Sequence, residues 1–154
     1  MQTSFSKEQL ENPEIARADR ILRRCVHCGF CTATCPTYVV LGDERDSPRG
    51  RIYAIKDMLE KGIDAKPEVS THIDRCLSCF SCMTTCPSGV DYMHLVEIAR
   101  EHIEKTGNRS FKDRLIRRAL TEIVPYPRRF RWAMRAAPLG RRLSGVFKAL
   151  KMPE

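Results

Sequence analysis

CVHCGFCTATCP at residues 25–36 and CLSCFSCMTTCP at residues 76–87 hold all eight cysteines of the chain, in two clusters of identical internal spacing. Each has three cysteines at steps of three, a fourth four residues on, and a proline behind it. A disulfide framework would account for an even count, but it needs an oxidising compartment. The first twenty residues, MQTSFSKEQLENPEIARADR, are too charged for an export signal. Zinc is the stronger competitor, since two CxxC pairs can close a tetrahedral site. It leaves unexplained why each cluster has a tight triple followed by a fourth cysteine and proline.

That run is the CxxCxxCxxxCP pattern of bacterial two-cluster ferredoxins. Three irons at the corners of a small cube must be reached from one short loop, which the triple provides; the fourth iron faces away and takes a thiolate from elsewhere. On that logic Cys25, Cys28 and Cys31 with Cys86 hold one [4Fe-4S] cluster, and Cys76, Cys79 and Cys82 with Cys35 hold the other. Cross-ligation would staple the two halves of the chain together, so removing iron is expected to unfold it. Pro36 and Pro87 should turn the chain away after each fourth ligand. Gly29, Thr32, Ala33, Ser78 and Ser81 are small enough to let the backbone approach the sulfides.

Working outward, the motifs are part of an internal repeat. Leu22, Arg24, Cys25, Thr34, Cys35 and Pro36 match Ile73, Arg75, Cys76, Thr85, Cys86 and Pro87 at a constant offset of 51. Asn12 and Pro13 read as an N-cap and first helical position, with Ile15, Ala18, Leu22 and Cys25 on one face. Val69, Ile73 and Cys76 repeat this in shorter form. Between the motifs Ser47 caps, Pro48 opens, Ile52, Ile55 and Leu59 form a stripe, and Gly62 stops a helix. Such a linker is too long for a compact β-hairpin ferredoxin. After Pro87, Tyr92, Leu95, Val96, Ala99 and Ile103 follow helical spacing from Asp91 to Gly107. Ser110 and Asp113 form a capping box for a helix through Ile123, ended by Pro125-Tyr126-Pro127. Phe130, Met134 and Ala137, then Leu143, Val146, Phe147 and Leu150, predict two short helices separated by Pro138. No strand pattern competes, and the expected class is all-α.

With 154 residues and 42% hydrophobic content, the chain suffices for one ordinary domain with a modest core. Its +8 net charge is uneven: residues 1–108 carry 14 Lys+Arg against 16 Asp+Glu, whereas residues 109–154 carry 13 against 3. The expected division is a cluster domain over 1–108 and a basic helical tail over 109–154. Arg128, Arg129, Arg131, Trp132, Arg135, Arg141 and Arg142 lie beside an apolar stripe, which favours docking on anionic headgroups or an acidic partner over simple solvation. No nucleic-acid-reading motif accompanies the charge, so none is expected as a partner. No apolar run approaches the roughly 18 residues of a spanning helix. A cytoplasmic chain, or one peripheral at the inner face of the membrane, is the expectation.

Two neighbouring cubanes make a one-electron relay, which needs no catalytic acid, base or nucleophile in this chain. His27, between two ligands, reads as a polar surface histidine because eight cysteines already satisfy two cubanes. His72, His94 and His102 read as ordinary exposed or half-buried side chains on helices. Arg24, Arg75, Arg49 and Arg51 could tune the clusters or be solvated. A non-redox, metal-stabilised binding module is the competing class.

The stretches CVHCGFCTATCPTYVVLGDERDSPRGRIYAIKDMLEKG and DRCLSCFSCMTTCPSGVDYMHLVEIAR closely resemble the N-terminal half of the iron-sulfur subunit of bacterial glycolate oxidase. LGDERDSPRGRIY is more specific than the cysteines, and the likeness continues through LIRRALTEIVPYPRRFRWAMR. The resemblance implies an α-helical ferredoxin fold and a complex with FAD-containing subunits oxidising glycolate to glyoxylate. FAD would sit only on the partner, with electrons passing to a quinone or other acceptor. Its cluster ligands carry over onto all eight cysteines. Relatives in the same broad group serve lactate, glycerol 3-phosphate or heterodisulfide chemistry. Members usually continue into two further cysteine-rich domains with adjacent Cys-Cys-Gly motifs. This chain is accordingly expected to be a fragment, truncated or split-gene version, with its tail stripes facing the remainder.

Overall fold

A computed structural model describes residues 1–106 and 109–142, with side chains as far as 136. Among the described residues there are helices and turns but no strand. The chain divides into two units, Met1–Asn108 and Arg109–Glu154.

In the first unit, α1 (Lys7–Glu11) is a helix that the apolar spacing does not announce. Ser6 accepts from the Gln9 N–H while the Gln9 side chain returns a bond to the Ser6 N–H, so a capping box supports one short turn. The Asn12 side chain caps α2 (Pro13–Arg24), Pro13 starts it, and Arg23 and Arg24 face its negative end. The Met1 ammonium donates to the carbonyls of Leu22, Arg23 and Cys25, which completes the C-terminus of α2. The second helix of this kind is α3 (Pro36–Leu41). Its β-branched PTYVVL composition favours strand, but Pro36 presets the first turn and Gly42, at φ 68°, ends it left-handed. Pro36 therefore opens a helix as well as ending the motif.

A 3₁₀ turn over Glu44–Asp46 leads into α4 (Pro48–Lys61), capped by the Ser47 hydroxyl and closed by Gly62 at φ 57°. Next come α5 (Pro67–Asp74), α6 (Ser81–Thr85) and α7 (Tyr92–Thr106). Helices α2, α4, α5 and α7 pack on one another. Ala18, Leu22, Ile55, Leu59, Ile73, Leu95, Val96, Ala99 and Ile103 are completely or almost completely buried between them, each large aliphatic side chain worth about 1.5–3 kcal/mol on burial. Cys25 and Cys82 belong to the same buried cluster, so the sulfur-bearing loops grow directly from the core. Gly107 lies outside the described residues.

The second unit contains α8 (Phe111–Ile123) and α9 (Pro127–Arg142). The Ser110 hydroxyl caps α8 by accepting from the Asp113 N–H. Phe111, Leu115, Ile116 and Leu120 on α8 are exposed, as are Trp132 and Met134 on α9. The expected break at Pro138 is corrected: α9 runs through it to Arg142. Proline removes one backbone bond within a helix, and residues on both sides retain helical geometry. The stripe from Leu143 to Leu150 lies outside the described residues.

Candidate iron-sulfur centres

The 51-residue repeat is present in the backbone as well as in the sequence. His27 and Gly29 in the first loop and Ser78 and Phe80 in the second all have positive φ, at 59°, 86°, 52° and 55°. The amide of Cys25 donates to Leu22 and that of Cys76 to Ile73; Cys35 donates to Thr32 and Cys86 to Met83. Three non-glycine residues held left-handed are each strained by about 1–3 kcal/mol. Such turns aim backbone N–H groups into a concavity suited to an anionic group.

All eight cysteines are free thiols. One cavity is lined by Cys25, Cys28, Cys31, Cys82 and Cys86, and a second by Cys35, Cys76, Cys79 and Cys82. Tyr92 lines both. The thiols oppose one another's ionisation. Burial first, then the neighbouring Cys31, Cys76, Cys35 and Cys79, push Cys82 up to about 12. Burial also raises Cys31, reinforced by Cys25, Cys28 and Cys86. Cys79 is held below the usual thiol range by the Ser81 N–H and hydroxyl. Converging thiols that resist ionisation are stable as thiolates when a cation lies between them. Five cysteines converge on the first cavity and four on the second, with Cys82 lining both; sulfur donors in this number suit iron, and the chemistry fits a [4Fe-4S] group.

An arginine from a helix lies against each loop, and the one at the second loop bonds it. Arg100 on α7 donates to Ser78 Oγ and the Cys76 carbonyl, both at 2.8 Å. Arg49 on α4 lies where a Cβ on Gly29 would come within 2.6 Å of it, and its Nε pairs with Glu44 at 2.7 Å. Arg100 is invisible to a reading of the sequence, because nothing in its spacing distinguishes it from a solvated residue.

Beside the second cavity one expectation from the sequence, for His72, is corrected, and the open question of Arg51 is answered. His72 is buried, with Nδ1 3.0 Å from Asp46 Oδ1. Arg51 is 1% exposed. Its Nη2 lies 3.3 Å from Asp46 Oδ1, its Nε donates to the His72 carbonyl at 2.7 Å, and its Nη1 lies 3.9 Å from Cys35 Sγ. Arg75 completes the group, with Nη1 3.1 Å from Asp46 Oδ2. Asp46 itself is completely buried. Its burial is not legible in the sequence because DERD reads as a solvated charge run. Arg24 is exposed. His94 pairs with Asp91, and His102 Nε2 lies 3.1 Å from the Ile63 carbonyl. His27 is half-buried, its ring edge-on to Tyr53 at 5.5 Å and its Nδ1 unpartnered among the described residues.

Residues 21–90 match the 4Fe-4S dicluster domain family, and the class that the cysteine sites resemble is that of iron-sulfur dicluster proteins. Within that class the chain is 52% identical over 131 residues to the glycolate oxidase iron-sulfur subunit of Escherichia coli, covering 85% of this chain and 32% of that protein. It is 36% identical over 154 residues to the probable glycolate oxidase iron-sulfur subunit of Bacillus subtilis, covering 98% and 34% respectively. It is also 31% identical over 101 residues to one polypeptide of the dihydromethanophenazine:CoB–CoM heterodisulfide reductase of Methanosarcina mazei, covering 56% and 25%. The chain thus spans about a third of the length of its glycolate oxidase relatives. No solved structure matches it. None of the described helices is long and apolar enough to cross a membrane.

Proposed function

We propose that the chain is the two-cluster part of the iron-sulfur subunit of a flavin-dependent glycolate oxidase. It would relay electrons from FAD on a partner subunit towards a quinone or another acceptor. The observation carrying this reading is the 52% identity to the Escherichia coli subunit over 85% of the chain. Cys25, Cys28, Cys31 and Cys86 would hold one [4Fe-4S] cluster and Cys76, Cys79, Cys82 and Cys35 the other; in support, seven of the eight line only the cavity of their own set, and Cys82 lines both. When bound, such clusters supply one-electron storage and transfer. The chain's contribution is to fix the thiolates, exclude bulk water with the α2–α4–α5–α7 core, and set the charge around each site. The second unit, with Arg128, Arg131 and the exposed Trp132, is assigned to docking on the flavoprotein or the inner membrane face in the cytoplasm.

The test is anaerobic electron paramagnetic resonance of the chain copurified with its partners, before and after glycolate, with D-lactate in parallel. A reduced-cluster signal produced by glycolate supports the reading. Reduction by dithionite but not by glycolate, with an intact flavoprotein present, transfers the chain to another dehydrogenase; the methanogen relative makes heterodisulfide chemistry the second reading. About eight irons and eight sulfides per chain are expected, and a colourless zinc protein of native helicity would leave only the non-redox binding module.

A further inference from the structure

The side chains that reach sulfur are unevenly divided between the two cysteine sets. Arg51 Nη1 is 3.9 Å from Cys35 Sγ, and Tyr92 Oη donates to Cys76 Sγ at 3.7 Å. Thr37 Oγ1 lies 3.1 Å from Cys35 Sγ and 2.9 Å from the Asp46 carbonyl, so its one proton goes to either. Ser81 bonds Cys79. These three cysteines belong to the same set. Among the described residues no side-chain donor is found on the sulfur of Cys25, Cys28, Cys31 or Cys86.

Charge falls the same way. Arg51 and Arg75 share Asp46, which leaves one net positive charge beside Cys35. At the first cavity Arg49 is matched by Glu44. The Met1 ammonium approaches that first set through the carbonyls of Leu22, Arg23 and Cys25, not through sulfur. Hydrogen bonds and positive charge on thiolate sulfur favour the more negative, reduced state of a cluster and raise its reduction potential.

We infer that Arg51, Tyr92 and Thr37 place the centre held by Cys35, Cys76, Cys79 and Cys82 at the higher reduction potential, so that an electron shared between the two sites resides there. This rests on the ligand assignment proposed above. Arg51 has the dominant effect, because its charge is buried and therefore poorly screened. Tyr92, whose ring lines both cavities, directs its only proton to the second set.

The test is a mediated redox titration of the anaerobically prepared full chain, followed by electron paramagnetic resonance, with iron and sulfide counted on the same samples. Two one-electron steps are expected. Tyr92→Phe removes one O–H and keeps the ring; Arg51→Gln removes the buried charge and keeps a polar side chain, with Arg75 and His72 still on Asp46. Each variant lowers the higher step and leaves the lower one in place. The double variant shifts the reduction equilibrium about tenfold, about 59 mV for one electron. Movement of the lower step instead, or unchanged potentials in both variants, overturns the inference. Mediators and dithionite supply the electrons, so failure of glycolate to reduce the protein removes the glycolate reading and leaves the potential order standing. An iron count short of two clusters removes the ligand assignment and this inference together.

Discussion

Asp46→Ala should be among the most damaging single substitutions in the first unit. The carboxylate is completely buried and touches Arg51, His72 and Arg75. Arg75 keeps 46% of its side chain in solvent and can rehydrate when the partner is lost, so its share is small. Arg51 cannot do so at 1% exposure. Its guanidinium would be left as an uncompensated buried charge, a loss of about 3–5 kcal/mol, against a total stability of about 5–15 kcal/mol for a domain. Asp46→Asn keeps the shape and loses the charge, and should fall between Asp46→Ala and the parent. The assay is urea denaturation of the anaerobically purified chain by far-ultraviolet circular dichroism, with iron content measured alongside. Arg45→Ala, which removes the exposed partner of Asp43, serves as control and should leave stability unchanged. An Asp46→Ala midpoint equal to that of the control would refute the reasoning.

Gly50→Ala should lower the melting temperature although alanine is the better helix former by about 1 kcal/mol, because the added Cβ would stand 2.0 Å from the Glu44 carbonyl oxygen; an unchanged or higher value counts against the tight α4 start. At Glu60 burial raises the carboxyl, but Lys56 at 2.8 Å and the Ser4 N–H at 2.6 Å more than offset it and hold the group below its ordinary 4.5. A depressed folded value gives stability that is present above pH 4.5 and lost as pH falls through it, so the deficit of Glu60→Gln in urea denaturation at pH 7 should close below pH 4.5. Chelating the iron under anaerobic conditions should collapse the helical circular dichroism signal cooperatively; full helicity in metal-free protein would show that the core stands without its clusters. Charge reversal at Arg128 and Arg131 should weaken association with the flavoprotein or anionic vesicles at low salt, without altering iron content; association that is indifferent to these changes and to salt would exclude electrostatic docking.

The parts of the fold legible in sequence are those where local chemistry and tertiary need agree. Asn12-Pro13 and Ser47-Pro48 state helix starts, Gly62 states a stop, and the stripes from Ala18 to Leu22 and from Leu95 to Ile103 are the core faces. Helix α3 is hidden because two valines and a threonine argue for strand, while the deciding residues, Pro36 and Gly42, lie at its ends. Pro138 misleads in the opposite direction, since a proline disfavours a helix without forbidding one. At the site, cysteine spacing announces itself, because metal geometry dictates intervals along a single chain. The residues around the sulfurs do not. Tyr92 looks in sequence like one more apolar helix position, and its hydroxyl turns to Cys76 only because α7 passes behind the second loop.

Asp46 shows why this second group resists sequence reading while mattering to the site. Cys35 and Cys76 are separated by 40 residues of helical linker, yet both line one cavity. The Asp46 carbonyl lies 3.7 Å from Cys35 Sγ, and its carboxylate holds Arg75, the residue directly before Cys76. Arg51 then ties α4 to the end of α5 through the His72 carbonyl. One buried residue, through its carbonyl and its carboxylate, thus connects the last cysteine of the first motif to the first of the second, through contacts that exist only once α4 and α5 have packed. A polar network of this kind contributes little net stability compared with a well-packed apolar replacement. Its use here is positional: it brings two thiols from different motifs to one cavity, and places a buried guanidinium beside the Cys35 sulfur.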